Sequence, residues 1–94
     1  MLCRCFRLEV EMASDRKVFD AVLSGRGTIA FRDFEHLLAG LGFRLSRTSG
    51  SHRIYLHPRV PRPFSVQPVG RDAKPYQVRQ LRDMIREFEL RLED

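Results

Sequence analysis

The sequence predicts an α+β fold in the order helix, helix, three-stranded antiparallel sheet, helix, with the helices packed on one face of the sheet. Three observations predict it. Apolar residues recur at three-and-four spacing near 14–23, 32–40 and 75–92, the period of a buried helix face. Between the second and third of these segments the period drops to two, over 43–48, 52–57 and 64–69, as half-buried strands require. The chain has 94 residues, enough for one modest core and too few for two.

Residues 1–13 read as a flexible N-terminal segment and 14–94 as the single domain. Ser14 is a candidate N-cap with Asp15 in the first turn, and Val18, Phe19, Val22 and Leu23 form one apolar stripe. Gly25 stops that helix. Residues 25–27 then make a flexible joint, and 28–31 a short extended approach. The second helix runs from about Arg32 to Gly40, burying Phe34, Leu37, Leu38 and Leu41, with Gly40 and Gly42 bracketing its end. Ser49, Gly50 and Ser51 are turn residues between the first two strands. Three prolines in 58–63 predict an extended connector rather than a strand interior. The third strand is placed at 64–69, with Pro68 pointing to an edge or an end. Residues 70–74 read as a loop, and Pro75 suits the first turn of the last helix. That helix buries Val78, Leu81, Ile85, Phe88 and Leu92.

Strand alternation assigns faces. Phe43, Leu45, Ile54, Leu56, Phe64 and Val66 are expected to point inward. Arg44, Ser46, Thr48, Arg53, Tyr55, His57, Ser65 and Gln67 then form a polar outer face. His52 shares the parity of Ile54 and Leu56, which sets it at the rim between sheet and helices.

The longest apolar runs are far short of a membrane span, and Arg4, Arg7, Glu9 and Glu11 break the opening segment, which is expected to lack the apolar stretch of a signal peptide. A cytoplasmic protein is expected. Cys3 and Cys5 are the only cysteines; one residue apart, they close no useful loop and lack further ligands nearby for a metal. No metal or organic cofactor is expected. Charge is unevenly distributed. Residues 42–82 carry nine basic side chains against one acid, Asp72, while the rest of the chain is net acidic. Fifteen of the seventeen basic residues are Arg, the side chain suited to bidentate phosphate contacts. This segregation favours a polyanion partner.

Among the histidines, His52 is the candidate for chemistry. Imidazole exchanges protons near neutral pH, as proton transfer at a ribose 2′-hydroxyl demands. Gly50 and Ser51 precede His52, exposed backbone N–H groups there can meet a phosphate, and Arg47 and Arg53 supply charge. A lone histidine at the start of a strand is more often a hydrogen-bonded turn residue, so its setting carries the argument. His57 reads as a surface residue, and His36 as solvent-facing.

The run 37–43 (LLAGLGF), the turn 48–52 (TSGSH), an alternating strand ending in His57 and Pro58, and the later 74–80 (KPYQVRQ) together resemble the HicA (YcfA-like) toxin family. The resemblance covers roughly residues 28–90. It implies a double-stranded-RNA-binding-domain-like α-β-β-β-α fold, here with an extra N-terminal helix. It further implies a metal-independent ribonuclease that cleaves mRNA and is held inactive by a HicB-type antitoxin. The family's catalytic histidine falls on His52, with Arg47, Gly50, Ser51, Arg53 and Lys74 as RNA-binding candidates. The helix at 14–23 and the proline-rich connector depart from the minimal toxins. Two other functions remain compatible with the residues: a non-catalytic RNA-binding module, and an interaction domain whose basic surface meets an acidic protein.

Overall fold

A computed structural model describes residues 15–25 and 27–92. The expectations for 1–13, for Cys3 and Cys5, and for a Ser14 cap lie outside the described residues. Helix α1 spans Asp15–Ser24 and buries Val18 and Val22. It stops at Gly25, which takes φ +71° and returns its N–H to the Ala21 and Val22 carbonyls. Helix α2 spans Phe31–Gly40. No side chain caps its start, so burial of Phe31 sets the boundary one residue earlier than the pattern around Arg32 indicates. Phe34, Leu37 and Leu38 are fully buried. Gly42 follows at φ +101° and Phe43 donates to the Leu38 carbonyl at 2.9 Å. Only glycine adopts that backbone without strain, and the turn delivers the chain directly into the sheet.

The sheet has the order β1 (Arg44–Ser49), β2 (His52–His57), β3 (Val60–Val66), all antiparallel. The three-strand prediction holds, but the third strand begins earlier than expected. Residues 60–63 belong to β3, not to a connector, and Pro61 and Pro63 lie within the strand. β3 tolerates them because it is the outer strand and its pairing shifts register between Tyr55 and His57; a residue without an N–H costs least at such an edge. The strand also ends sooner. Pro68–Val69 (β4) and Asp72–Ala73 (β5) pair as a separate ribbon, replacing the expected strand end and plain loop. Ala73 donates to the Ile29 carbonyl and Phe31 to the Arg71 carbonyl, each at 2.8 Å, so the extended approach to α2 is tied to this ribbon.

Helix α3 spans Pro75–Phe88, with Pro75 in its first turn as predicted. Its end is held by a cation. Arg59 donates to the Phe88 and Glu89 carbonyls at 3.2 and 3.0 Å, where the helix dipole is negative. The helices pack on the sheet face that carries Tyr55, Phe64 and Val66, and Phe34, Phe43 and Phe64 meet there ring to ring. Among the described residues no helix is long and apolar enough to cross a membrane.

The face assignment of β2 is inverted from the expectation. Tyr55 is only 7% exposed whereas Leu56 is 46% exposed, and Leu45 on β1 is also half exposed. Tyr55 pairs with Phe64 and Arg53 with Val66, so Arg53, Tyr55 and His57 face the helices. A one-residue shift of parity turns every side chain over. The aromatic ring fills more core than Leu, and its hydroxyl is satisfied at the rim. All six residues of β1 are exposed, because the helices cover β2 and β3 only.

Candidate functional site

A tight hairpin positions His52. Ser49 and His52 are register partners across Gly50 and Ser51. Gly50 has φ +60° and Ser51 does not, the pattern of a type II′ turn, whose twist matches the strands it joins. A side chain at Gly50 would meet nothing within 4 Å, so conformation and not space selects the glycine. His52 has the parity of Ile54 and Ser65. It therefore points outward rather than inward as expected, and it is exposed where the sheet rim meets α3. It makes no hydrogen bond or ion pair among the described residues.

His52 stands at a groove of about 490 Å³ between β3 and α3, lined also by Arg62, Ser65, Tyr76, Gln80, Asp83 and Glu87. Gln77 builds this groove. It is 3% exposed; its Oε1 accepts from the Gln67 N–H at 3.1 Å, and its Nε2 donates to the Ser65 carbonyl at 3.2 Å. One amide thus satisfies the β3 edge as a neighbouring strand would, and fixes the distance between strand and helix. Tyr76, Gln80, Asp83 and Glu87 follow at helical spacing on one stripe of α3. Tyr76 is 49% exposed, with the Lys74 ammonium 5.8 Å from its ring centre.

The predicted site residues separate. Gly50 and Ser51 form the exposed hairpin tip next to His52. Arg47 pairs with Ile54 and so shares the outer face with His52. Lys74 precedes the first turn of α3, beside the groove. Arg53 is drawn to the opposite face. Its Nη1 contacts both Glu35 carboxylate oxygens at 2.8 Å, and its guanidinium lies 5.7 Å from the Phe31 ring centre. Tyr55 donates to the same Glu35 at 2.8 Å. Burial, then the bond to Glu35 and its negative charge, push the Tyr55 phenol well above its ordinary value of 10.0. His57 is half-buried and engaged rather than a free surface residue. Its Nε2 bonds the Leu41 carbonyl at 2.9 Å, its Nδ1 accepts from the Arg59 N–H at 3.0 Å, and its ring meets Phe43. His36 is exposed, as expected.

Sequence reasoning missed Arg62, Ser65, Tyr76 and Gln80. The signal available was the stripe 76, 80, 83, 87 of polar and aromatic residues flanking the buried face of α3, while the arginines at 79, 82 and 86 lie on the far side. Among the described residues no group of three or more His, Cys, Asp or Glu side chains converges to hold a metal ion.

The family model for the HicA toxin of bacterial toxin-antitoxin systems matches residues 31–90, more than half of the chain. No curated protein and no solved structure matches it.

Proposed function

The chain belongs to the HicA toxin family, and from that premise we propose that it is a metal-independent ribonuclease that cleaves mRNA, with His52 as its catalytic residue and a HicB-type antitoxin as its inhibitor. The observation that carries this reading is the placement of His52: exposed, unengaged, and at the mouth of a groove. An imidazole already committed to the protein, as that of His57 is, has no free nitrogen to offer a substrate.

The chemistry needs only one proton acceptor in contact with RNA. His52 takes the proton of a ribose 2′-hydroxyl as the 2′-oxygen attacks the adjacent phosphorus. The bond from phosphorus to the 5′-oxygen breaks, leaving a 2′,3′-cyclic phosphate, and the departing oxygen takes a proton from the imidazolium or from water. Such acid–base assistance contributes about 10²–10⁴ in rate. Lys74, Arg47 and the backbone N–H groups of Gly50 and Ser51 are the phosphate-positioning groups on the His52 side. Arg53 acts through the fold, since its guanidinium is held by Glu35.

The test is controlled bacterial expression of the wild-type chain beside His52→Ala, with both proteins shown to be soluble and equally stable. Growth arrest with loss of mRNA from wild type alone is expected. Equal toxicity from both proteins means that binding causes the harm and removes His52 from the mechanism. Harmless growth with both overturns the toxin reading in that host. A non-catalytic RNA binder is the second reading, and one observation favours it: no described side chain orients the His52 ring, as a carboxylate or carbonyl commonly orients a catalytic imidazole.

A further inference from the structure

The groove beside His52 has a polarity that the proposed cleavage does not use. Its α3 wall presents, turn by turn, an aromatic ring (Tyr76), an amide (Gln80) and two carboxylates (Asp83 and Glu87). Asp83 and Glu87 make this end of the α3 wall acidic, with Arg62 of β3 lining the same groove. Positive charge gathers at the near end, where Lys74 lies over Tyr76 and the start of α3 carries its positive dipole. The Tyr76 ring is half exposed at the groove mouth, with one face open to a ligand beside the Lys74 contact.

We propose that Tyr76 is a base-stacking platform for one nucleotide of a single-stranded RNA, with the Gln80 amide in place to hydrogen-bond the base edge and the phosphate directed toward Lys74 and His52. The inference rests on the proposed function and names the substrate form that the site takes. A groove of about 490 Å³ falls within the range of pockets that hold a small ligand, about 300–1,000 Å³. Stacking requires an unpaired base, because in an RNA duplex both faces of each base are occupied by neighbours. Every base has a π-face, so this subsite gives affinity without strict sequence choice, while Gln80 supplies whatever preference exists.

The test uses the full chain and a short 2′-O-methyl oligoadenylate, which cannot be cleaved because the attacking hydroxyl is blocked. Binding is followed by fluorescence anisotropy of an end-labelled oligomer. It is checked by quenching of tyrosine emission, which is readable because the chain has two Tyr and no Trp and only Tyr76 is exposed. Wild type and Tyr76→Phe are expected to bind alike. Tyr76→Ala should weaken binding roughly tenfold, a ratio equal to about 1.4 kcal/mol and inside the range for base–aromatic stacking. An abasic oligomer of the same length should lose the same factor and no longer distinguish Tyr76→Ala from wild type. Equal binding by wild type and Tyr76→Ala, or by the abasic oligomer, overturns the subsite. So does a duplex of the same length that binds as tightly as the single strand. Because the probe is not cleaved, these outcomes are independent of His52. A chain that fails to cleave RNA yet shows the Tyr76 dependence keeps the subsite and loses the ribonuclease; one that cleaves through His52 without Tyr76 dependence does the reverse.

Discussion

Replacing Gln77 tests whether one buried amide holds the β3 edge and the groove together. Gln77→Leu keeps the volume and removes two hydrogen bonds, leaving the Gln67 N–H and the Ser65 carbonyl without their partner. Each such bond contributes about 0.5–1.5 kcal/mol net, and each backbone group left half-buried adds part of its desolvation penalty. The Gln67 side-chain oxygen is already buried without a partner, so little slack remains at this edge. A loss of about 2–3 kcal/mol is expected, which in a domain of this size lowers Tm by roughly 10–20 °C. Gln77→Glu adds a pH signature. An ionised carboxylate there accepts from Gln67 but faces the Ser65 carbonyl with no donor, so burial and that oxygen raise its folded pKa above the unfolded value. The variant is therefore most stable when that group is protonated, and it loses stability as pH rises through the carboxylate range, which wild type does not do through this position. Urea unfolding of wild type, Gln77→Leu and Gln77→Glu between about pH 4 and pH 7 reads both effects. A Gln77→Leu loss below about 0.5 kcal/mol, the scale of an inconsequential surface change, refutes the role given to the amide.

Four other substitutions separate structural from functional groups. The folded chain holds the Tyr55 phenol protonated to higher pH than the unfolded chain does, so stability fully present below pH 10.0 should fall as pH rises past it; Tyr55→Phe, costing about 1 kcal/mol at neutral pH, should flatten that alkaline decline in urea midpoints. His57→Ala should destabilise by about 1–3 kcal/mol through its two lost bonds, yet leave RNA cleavage by the folded fraction within about twofold, in contrast to His52→Ala. In titrations of single-stranded RNA affinity against salt, Arg47→Ala should reduce the slope by about 0.7, the value per phosphate contact on a single strand, whereas Arg53→Ala should leave the slope unchanged and lower the unfolding midpoint.

The helices were legible because each has a strong apolar stripe, and α1 and α2 also have a glycine stop, at Gly25 and Gly42, whereas α3 ends on Glu89 at φ +53°. The hairpin was legible for the same reason, since Gly50 between two alternating segments leaves little else for the chain to do. What misled was parity in β2. The segment 52–57 alternates on both faces, Ile54 and Leu56 against Tyr55, and apolarity alone favours the aliphatic pair. Tyr55 is selected because its ring packs in the core while its hydroxyl reaches Glu35, a partner 20 residues away in no local pattern. Long-range polar satisfaction of this kind is invisible to periodicity. The prolines of β3 misled in a related way: they exclude a central strand, and it is the edge position, a property of the assembled sheet, that admits them.

That inversion also changes what the basic segment means. Read as a string, 42–82 is a uniform polyanion-binding surface. In the fold, Arg53 is held by Glu35 and Arg59 caps α3, so two of its arginines are spent on joining the sheet to the helices. The same flip that draws Arg53, Tyr55 and His57 inward sends His52 outward, because residues 52 and 53 cannot share a face. The candidate catalytic histidine is therefore exposed as a consequence of how the core is satisfied: Tyr55 reaching Glu35 sets the register that places His52 at the groove, and Gln77 sets the groove's width. Substitutions at Glu35 or Gln77 that leave the chain folded should consequently alter RNA cleavage without touching RNA, through the position of His52 relative to α3.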